Sequence, residues 1–338
     1  MTSQTAIGKG HLIFTNELAR FAERAGDARM SALVTEIRRP LRVEVRGRDG
    51  VGRATVAAAL AGAGVSVADD ECADVRVVDV NVVVVAEALK PEDKAMIGVG
   101  PTVVVLTKAD LAGFGAGGPI AVADARAAAI QALTGVPTVA MVGLLAVAAL
   151  DDGLIAALRA LTAEPADLTS TDAFLSCEHS VPRDVRVRLL EMLDLFGIAH
   201  GVLALRQGTE PAALPDVLRQ LSQIDRVTAR IAAAGAEVRY RRVNSALAAL
   251  RTMAAGGVPA LAGFLAGDDA VLAVMSSAVD VVEAAGLTVD AADDPAAHLR
   301  RAVHWQRYSR GPVNRLHRQC AADISRGSLR LLRRAEAR

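Results

Sequence analysis

The stretch VEVRGRDGVGRATVAAALAG, residues 43–62, joins a valine-rich segment, a turn with three glycines and an alanine-rich segment. Residues 41–45 predict a strand, and residues 53–64 predict a helix that ends at glycines. A strand, a glycine turn and a helix in this order direct the backbone N–H groups of the first helical turn toward one point, where phosphate binds. The segment therefore predicts a phosphate-binding loop in an α/β domain.

The first nucleotide loop that fits is the pattern GxxxxGK[ST], because the first and third glycines have its spacing. Arg53 stands where the pattern has the lysine that reaches the β- and γ-phosphates. Ala54 stands where it has the hydroxyl that binds Mg²⁺, and Thr55 follows. The backbone N–H groups of residues 49–54 would still surround a phosphate, since that arrangement depends on glycine geometry.

The second nucleotide loop that fits is the turn of a Rossmann domain, with Gly47, Gly50 and Gly52 as its glycines. The segment resembles the start of a short-chain dehydrogenase, in which an acidic residue near Asp69 would bind ribose. On this segment alone the second interpretation is at least as good as the first, so the rest of the chain has to distinguish them.

Strand and helix signals alternate after the loop, which predicts a parallel sheet with helical crossovers over residues 40–150. Further strands are predicted at 65–69, 75–89, 102–111 and 137–142, and a further helix at 121–133. One amphipathic helix is predicted over 15–38, within an N-terminal segment 1–39. No strand is predicted beyond residue 150, so residues 151–338 are expected to form an α-helical domain.

The segment PTVVVLTKADL, residues 101–111, resembles the base-recognition element [NT]KxD of GTPases, which follows a strand. The resemblance implies that the Asp110 carboxylate accepts hydrogen bonds from guanine N1 and N2, and that the stem of Lys108 lies over the base. It also implies that Thr107 takes the place of the usual asparagine and ties this loop to the phosphate loop. Lys108 is one of only four lysines in an arginine-rich chain, which favours a specific role for it.

Two more segments carry the same resemblance. AALAG, residues 58–62, is similar to the NALLG that follows the phosphate loop of dynamin-like and Era-like GTPases, and VVVVAEALKPED resembles the strand before their base-recognition element. Residues 40–150 are therefore similar to a degenerate P-loop GTPase domain, with GTP or GDP as the implied ligand. The implied nucleotide-binding residues are Gly47, Asp49, Gly50, Val51, Gly52, Arg53, Ala54, Thr55, Thr107, Lys108 and Asp110.

The residues that drive GTP hydrolysis are not matched. The element DxxG should follow a middle strand, and its candidate Asp79 continues as Val-Asn-Val without the glycine. Only 26 residues separate Gly52 from Asp79, which leaves little room for a first switch loop. The metal-binding hydroxyl is lost at Ala54, so Mg²⁺ is expected to bind poorly unless Thr55 substitutes for it. The sequence thus predicts weak or absent hydrolysis and supplies no catalytic residue or metal ligand.

The leading hypothesis is a guanine-nucleotide-binding regulatory or scaffold protein that acts with a protein partner, such as an active GTPase or another copy of the chain. The first alternative is an NAD(P)-dependent oxidoreductase. Its Tyr-x-x-x-Lys pair is missing, because Tyr240 is followed four residues later by Asn244 and Tyr308 by Pro312. The second alternative is an interaction module that no longer binds nucleotide. The order of the strands separates the enzyme from the leading hypothesis.

The composition limits the function classes. Hydrophobic residues make up 52% and aromatic residues 3% of the 338 residues, which indicates a packed core of small aliphatic side chains. The formal net charge is zero, so no field of the whole chain favours nucleic acid. The three scattered cysteines Cys72, Cys177 and Cys320 form no disulfide framework, and the N-terminus has no apolar export signal, so we expect a cytoplasmic protein.

Two segments raise the question of membranes and acidic surfaces. Residues 127–150 carry no charge and could span a bilayer, but the turn TGVPT lies within them, so we expect a strand and a buried helix and no transmembrane segment.

Residues 300–338 contain 11 arginines and only two acidic residues, with Trp305 and Tyr308 among them. Such a tail either contacts an acidic lipid, nucleic acid or protein surface, or forms a helix with a solvated arginine face.

Two smaller features have simple explanations. Cys177-x-His179 has a poor spacing for zinc and no second close pair, so local polar caps are expected there. Glu92 and Asp93 follow Pro91 and are expected at a solvated helix N-terminus, where acidic side chains are favoured by the helix dipole.

Overall fold

The computed structural model describes residues 10–68, 78–98, 100–113 and 115–337. These residues form two compact units. The sheet unit is Arg42–Ile231, and the helical unit combines the described residues of Met1–Leu41 and Ala232–Arg338. The fold is thus an α/β unit and a separate α-helical unit, as the sequence predicts at this coarse level.

Four parallel strands form the sheet, in the order β1-β2-β3-β4. They are β1 Val43–Gly47, β2 Val80–Ala86, β3 Thr102–Thr107 and β4 Thr138–Ala140. On the other side of β1, Val43 forms an isolated parallel bridge with Val67, which is the described part of the strand predicted at 65–69. The central strands are runs of valine because both faces of a parallel sheet are covered by helices.

Sixteen α-helices lie in the described part of the chain. They are α1 Gly10–Ala25, α2 Ala28–Arg38, α3 Arg53–Gly62, α4 Pro91–Met96, α5 Gly118–Thr134, α6 Gly143–Ala146, α7 Asp152–Ala163, α8 Thr171–Ser176, α9 Arg183–Arg206, α10 Leu214–Ser222, α11 Ile224–Ala234, α12 Ala236–Ala255, α13 Pro259–Ala266, α14 Asp268–Ala284, α15 Pro295–Arg310 and α16 Arg315–Glu336. A short 3₁₀ helix, Ala109–Leu111, follows β3.

The core of the sheet unit extends well beyond residue 150. Leu158 of α7, Leu189 and Leu193 of α9 and Leu218 of α10 are buried in one cluster with the sheet residues around Val104. The division into units therefore differs from the boundary drawn at residue 150 from the sequence. The physical reason is that these helices bury their apolar faces in the same core as the sheet.

The helical unit includes the N-terminal helices. Phe14 and Leu18 of α1 and Met30 of α2 share a buried cluster with Leu250 of α12 and Leu261 of α13. The sequence predicts one helix over 15–38, but the structure has two. The chain turns at Gly26, and Asp27 then caps α2 by accepting a hydrogen bond from the N–H of Arg29 at 2.9 Å.

The uncharged residues 127–150 are divided among the end of α5, strand β4 and the short helix α6. In the part of the chain that the structure describes, no helix is both long enough and apolar enough to cross a membrane. This agrees with the expectation of a strand and a buried helix in that segment.

Candidate functional site

The strand order changes direction at the carboxyl ends of β1 and β2. After β1 the chain forms its bridge at Val67 on one side, and it then returns to the other side to form β2. Open α/β sheets bind ligands outside the carboxyl ends of the strands where the strand order reverses in this way. Residues 47–53, here named the glycine loop, lie at this point.

The glycine loop has a backbone that only glycine permits at its tightest positions. A Cβ atom on Gly47 would lie 2.9 Å from the carbonyl oxygen of Val84 and 2.9 Å from a methyl carbon of Val51. Gly50 and Gly52 have φ values of 78° and 87°, in the left-handed region that other residues rarely adopt. All three glycines that the sequence singles out are thus required by the shape of the loop.

Helix α3 begins directly after the loop. Its first internal backbone hydrogen bond runs from the N–H of Val56 to the carbonyl of Gly52 at 3.0 Å, so the N–H groups of residues 53–55 lie at the free N-terminal end of the helix. The side chains of Arg53 and Ala54 are exposed, whereas Thr55 is half-buried. This end of the helix offers backbone donors and the positive end of the helix dipole to an anion.

Thr55 follows Ala54, the position of the missing hydroxyl, and its methyl carbon lies near α6. A Cβ atom on Gly143 would lie 3.4 Å from the Thr55 methyl carbon, so the side chain packs against the start of α6. Among the described residues, no group of three or more His, Cys, Asp or Glu side chains could hold a metal ion.

A second loop, TKAD, comprises residues 107–110 and follows β3. The Thr107 side chain is 4% exposed, and its hydroxyl lies 2.6 Å from the carbonyl oxygen of Val51 in the glycine loop and 3.1 Å from that of Val85. This is the contact that the sequence predicts for Thr107. It fixes the TKAD loop against the glycine loop through a buried hydrogen bond.

The remaining TKAD residues form a tight turn. Lys108 is exposed and has a left-handed backbone, with φ 54° and ψ 40°. The N–H of Ala109 donates to the carbonyl of Met141 at 3.3 Å, just beyond β4. Asp110 lies in the following 3₁₀ turn and is half-buried. The ends of β1, β3 and β4 are therefore connected to one another by hydrogen bonds at this edge of the sheet.

Asp110 carries a perturbed carboxyl group. Burial raises its pKa above the ordinary value, and the negative charge of Asp194 adds to the rise, while Lys108 opposes it. Asp194 lies inside α9 at a non-helical backbone position with φ 54° and ψ 176°. Its carboxylate accepts a hydrogen bond from the N–H of Leu195 at 2.6 Å. A ligand that donates hydrogen bonds to Asp110 would stabilise its ionised form.

Asp194 is not a candidate on the sequence, because the surrounding residues predict an uninterrupted helix. Helix α9 reaches this place because it packs on α6, where a Cβ atom on Gly197 would lie only 2.6 Å from a methyl carbon of Leu145. Neither glycine nor proline marks the break at residue 194, so the sequence contains no signal for it.

The glycine loop is also fixed from the side of α4. Arg48 Nε and Nη2 lie 2.7 and 3.3 Å from the two carboxylate oxygens of Asp93, which is fully buried. Asp93 also accepts a hydrogen bond from the N–H of Lys90 at 2.9 Å. Asp93 lies at the N-terminus of α4, as the sequence predicts, and caps the helix. The prediction that it is solvated is wrong: the carboxylate is buried, which is possible because Arg48 neutralises its charge.

Other candidate residues lie away from this edge of the sheet. Asp79 precedes β2 and accepts a hydrogen bond from the N–H of Arg42 at 2.9 Å, so it lies at the amino end of the strands, opposite the glycine loop. Asp69, the candidate for ribose binding, lies outside the described residues. In the helical unit, the Tyr240 hydroxyl donates to Asp323 at 2.6 Å and the Tyr308 hydroxyl lies 2.9 Å from His317 Nδ1.

The arginines of the C-terminal tail fall into two groups. One group is used inside the helical unit: Arg301 is buried, Arg326 pairs with Asp323, and Arg330 and Arg334 pair with Asp268. The other group, here named the hairpin arginines, lies around the turn between α15 and α16. It comprises Arg307, Arg310, Arg315 and Arg318, which are exposed and form no ion pair with any residue that the structure describes.

No family model, curated protein or solved structure matches the chain.

Proposed function

We propose that the sheet unit is a guanine-nucleotide-binding domain with little or no GTPase activity, and that the protein acts as a regulatory or scaffold component with a protein partner. The observation that carries this proposal is the 2.6 Å hydrogen bond from the Thr107 hydroxyl to the Val51 carbonyl. It joins a loop suited to phosphate with a loop suited to a base, so one ligand with both groups would contact both loops.

The preference for guanine follows from the chemistry of Asp110. Guanine presents the N1 and N2 donors side by side, and one carboxylate accepts both hydrogen bonds. Adenine presents a hydrogen-bond acceptor at N1, and this acceptor would be repelled by the carboxylate oxygens, which are also acceptors. A partly buried acceptor left without a donor is costly, so the site would reject adenine strongly.

The phosphate end combines attractive and repulsive groups. The N-terminus of α3 and the exposed Arg53 favour a phosphate. The exposed carboxylate of Asp49 lies in the same loop and opposes it, and the guanidinium of Arg48 is already paired with Asp93. We infer that a nucleoside diphosphate binds with modest affinity and that the added charge of a third phosphate gains little without Mg²⁺.

The absence of efficient hydrolysis is inferred from the residues at the site. Phosphoryl transfer needs a metal ion, a positioned water and a stabiliser of the developing charge. Ala54 removes the metal-binding hydroxyl, and Thr55 packs against α6. Arg53 is the one remaining charge stabiliser in the motif.

The strand order favours this proposal over an NAD(P)-dependent oxidoreductase. In the Rossmann order 3-2-1-4-5-6 the third strand lies outside the second, away from the first. Here β2, which follows the bridging segment at Val67 in the chain, pairs directly with β1. The two tyrosines of the sequence lie in the helical unit, with hydrogen-bond partners other than lysine.

A second candidate function is an interaction module whose sheet unit no longer binds nucleotide. The specific observation in its favour is the position of Asp49 in the glycine loop and of Asp194 near Asp110, because these carboxylates add negative charge at both ends of the site. Domains with degenerate loops of this kind can persist as partners of active enzymes, which is an argument from analogy.

Calorimetric titration of the full chain with GDP, GTP, ADP and NAD, with and without Mg²⁺, tests the proposal. We expect GDP to bind and ADP and NAD to bind at least tenfold more weakly. Asp110→Ala should weaken GDP binding by about 3 kcal/mol, or roughly a hundredfold, because a charged acceptor of two hydrogen bonds is lost. Asp124→Ala is the matched control, since Asp124 lies on α5 in an exposed pair with Arg226.

Equal binding of GDP and ADP would overturn the assignment of guanine. No binding of any of the four nucleotides would favour the interaction module. Analytical ultracentrifugation of the chain with and without GDP would then show whether another copy of the chain is the partner.

A further inference from the structure

The helical unit contains a cavity of about 160 Å³ that is independent of the proposed nucleotide site. It lies between four helices, α12, α13, α14 and α16, and it opens to solvent past exposed polar side chains. Its lining contains polar side chains, here named the polar side, and aliphatic side chains, here named the apolar side.

The polar side has one positive charge in excess. The Asp323 carboxylate is already occupied, because Tyr240 donates to one oxygen at 2.6 Å and Arg326 to the other at 3.1 Å. Arg251 also lines the cavity and forms no hydrogen bond or ion pair with a residue in the described ranges. Two guanidinium groups therefore lie near one carboxylate. The charge of Arg251 acts on Asp323, but its hydrogen-bond donors are available to an anion.

The amide groups at the same side add donors. Gln319 donates from Nε2 to Oδ1 of Asn244 at 2.8 Å, and Asn244 donates from Nδ2 to the carbonyl of Tyr240 at 3.0 Å. This chain fixes the Asn244 amide and leaves the second Nε2 hydrogen of Gln319 beside the cavity. The polar side is therefore rich in donors, which is the character of a site for a carboxylate or phosphate.

The apolar side restricts the ligand further. Leu247, Leu265, Val271 and Val274 line it with aliphatic carbon, so a fully hydrated anion such as phosphate would leave this wall unused. An apolar cavity of about 150 Å³ holds one benzene molecule, which has six heavy atoms. A cavity of this size thus fits a ligand of about six to eight heavy atoms.

We propose that this cavity binds a short-chain monocarboxylate of about four to six carbons, with its carboxylate on Arg251 and its alkyl chain against the aliphatic wall. The ligand needs both a carboxylate and an alkyl chain. The positive charge of Arg251 selects an anion, and the aliphatic wall selects an anion that carries an apolar group.

Ligand-observed NMR titration of the full-length protein with ¹³C-labelled butyrate tests this proposal. We expect saturable binding in the micromolar to millimolar range, as is usual for ligands of this size. Butyramide, which has the same shape without the charge, should bind at least tenfold more weakly, and so should inorganic phosphate. Arg251→Gln should weaken butyrate binding at least tenfold, because a charge-assisted hydrogen bond is lost.

Two further variants separate the site from general effects of charge and folding. Arg241→Gln removes an exposed arginine of the same helix, which pairs with Glu237 outside the cavity, and it should leave the butyrate affinity unchanged. Ala322→Phe fills the cavity without changing its charge and should abolish binding, while thermal unfolding verifies that each variant is folded. Equal binding of butyrate and butyramide, unchanged binding by the Arg251 or Ala322 variant, or no saturable butyrate binding would each overturn the proposal.

Discussion

Replacing Thr107 by valine removes one hydroxyl group and keeps the β-branched shape of the side chain. That hydroxyl is buried and lies within hydrogen-bond distance of two carbonyl oxygens, those of Val51 and Val85. A buried hydrogen bond contributes about 1 kcal/mol net, and a buried carbonyl without a donor costs about 1–3 kcal/mol. Because the added methyl group recovers part of this through apolar burial, we expect the free energy of unfolding of the sheet unit to fall by about 2 kcal/mol.

The assay has to report on the sheet unit alone. Trp305, Tyr240 and Tyr308 are the only tryptophan and tyrosines in the sequence, and all three lie in the helical unit. Intrinsic fluorescence therefore follows that unit and should be unchanged in urea unfolding of the variant. Hydrogen–deuterium exchange measured by mass spectrometry reports on the glycine loop directly, and we expect faster exchange at residues 48–53.

Thr102→Val is the matched control for this experiment. Thr102 lies on the same strand with a similar exposure of 6%, but its hydroxyl donates locally to the carbonyl of Gly100 at 3.0 Å. This variant should disturb the start of β3 and leave exchange at residues 48–53 as in the native protein. Unchanged exchange there in the Thr107 variant, or an equal increase in both variants, would refute the idea that the Thr107 contact fixes the glycine loop.

Three further predictions concern charge. Because the pKa of Asp110 is raised in the folded protein, the free energy of unfolding should fall as pH rises from the ordinary pKa near 3.8 through the raised pKa. The affinity for GDP, measured by calorimetry, should rise over the same pH range. Asp194→Asn should move this increase in affinity to lower pH. GTP turnover in a phosphate-release assay should not exceed about 10⁻⁴ s⁻¹. The double variant Arg53→Lys with Ala54→Ser should raise the Mg²⁺-dependent affinity for nucleotide before it raises turnover. A robust GTPase rate of the native protein that Arg53→Ala abolishes would contradict this prediction. Replacing the hairpin arginines by glutamine should abolish salt-sensitive retention on heparin, whereas replacing the two arginines that pair with Asp268 should lower stability and keep retention.

The strands and the glycine loop could be predicted because each rests on local chemistry. Runs of valine such as 82–85 have few stable places other than the centre of a parallel sheet. The glycines predict a tight turn between a strand and a helix, and the structure places close contacts or left-handed backbone at these positions. The link from Thr107 to the loop followed from one short motif whose parts have defined hydrogen-bonding roles.

The grouping of helices into units could not be predicted in the same way. An amphipathic pattern shows that one face of a helix is buried but does not show what covers it. The apolar faces of α7 and α9 would fit a helical bundle as well as a sheet, and the structure packs them into the core of the sheet. The same holds for α1 and α2, which join α12 and α13 from the other end of the chain.

The two charged features that were missed share one cause. Arg48 and Asp93 are 45 positions apart in the sequence, and Asp110 and Asp194 are further apart still. Each pair depends on a close approach that tertiary packing creates, so composition and spacing along the chain carry no trace of it. Arg48 makes the burial of the Asp93 carboxylate possible, whereas Asp194 adds a like charge near Asp110. Neither proximity becomes visible until the fold is known.

These contacts separate the shape of the glycine loop from its chemistry. Gly47 is required because Val51 and Val84 both approach it closely, Thr107 binds the loop from β3, and Arg48 binds it to a buried carboxylate in α4. All of these contacts stabilise the sheet unit whether or not a nucleotide is present. The loop would therefore keep its shape after losing its ligand, so its shape alone is weak evidence for nucleotide binding. We base the proposal of guanine instead on the chemistry of the Asp110 carboxyl group and on the hydrogen bond that joins its loop to the glycine loop.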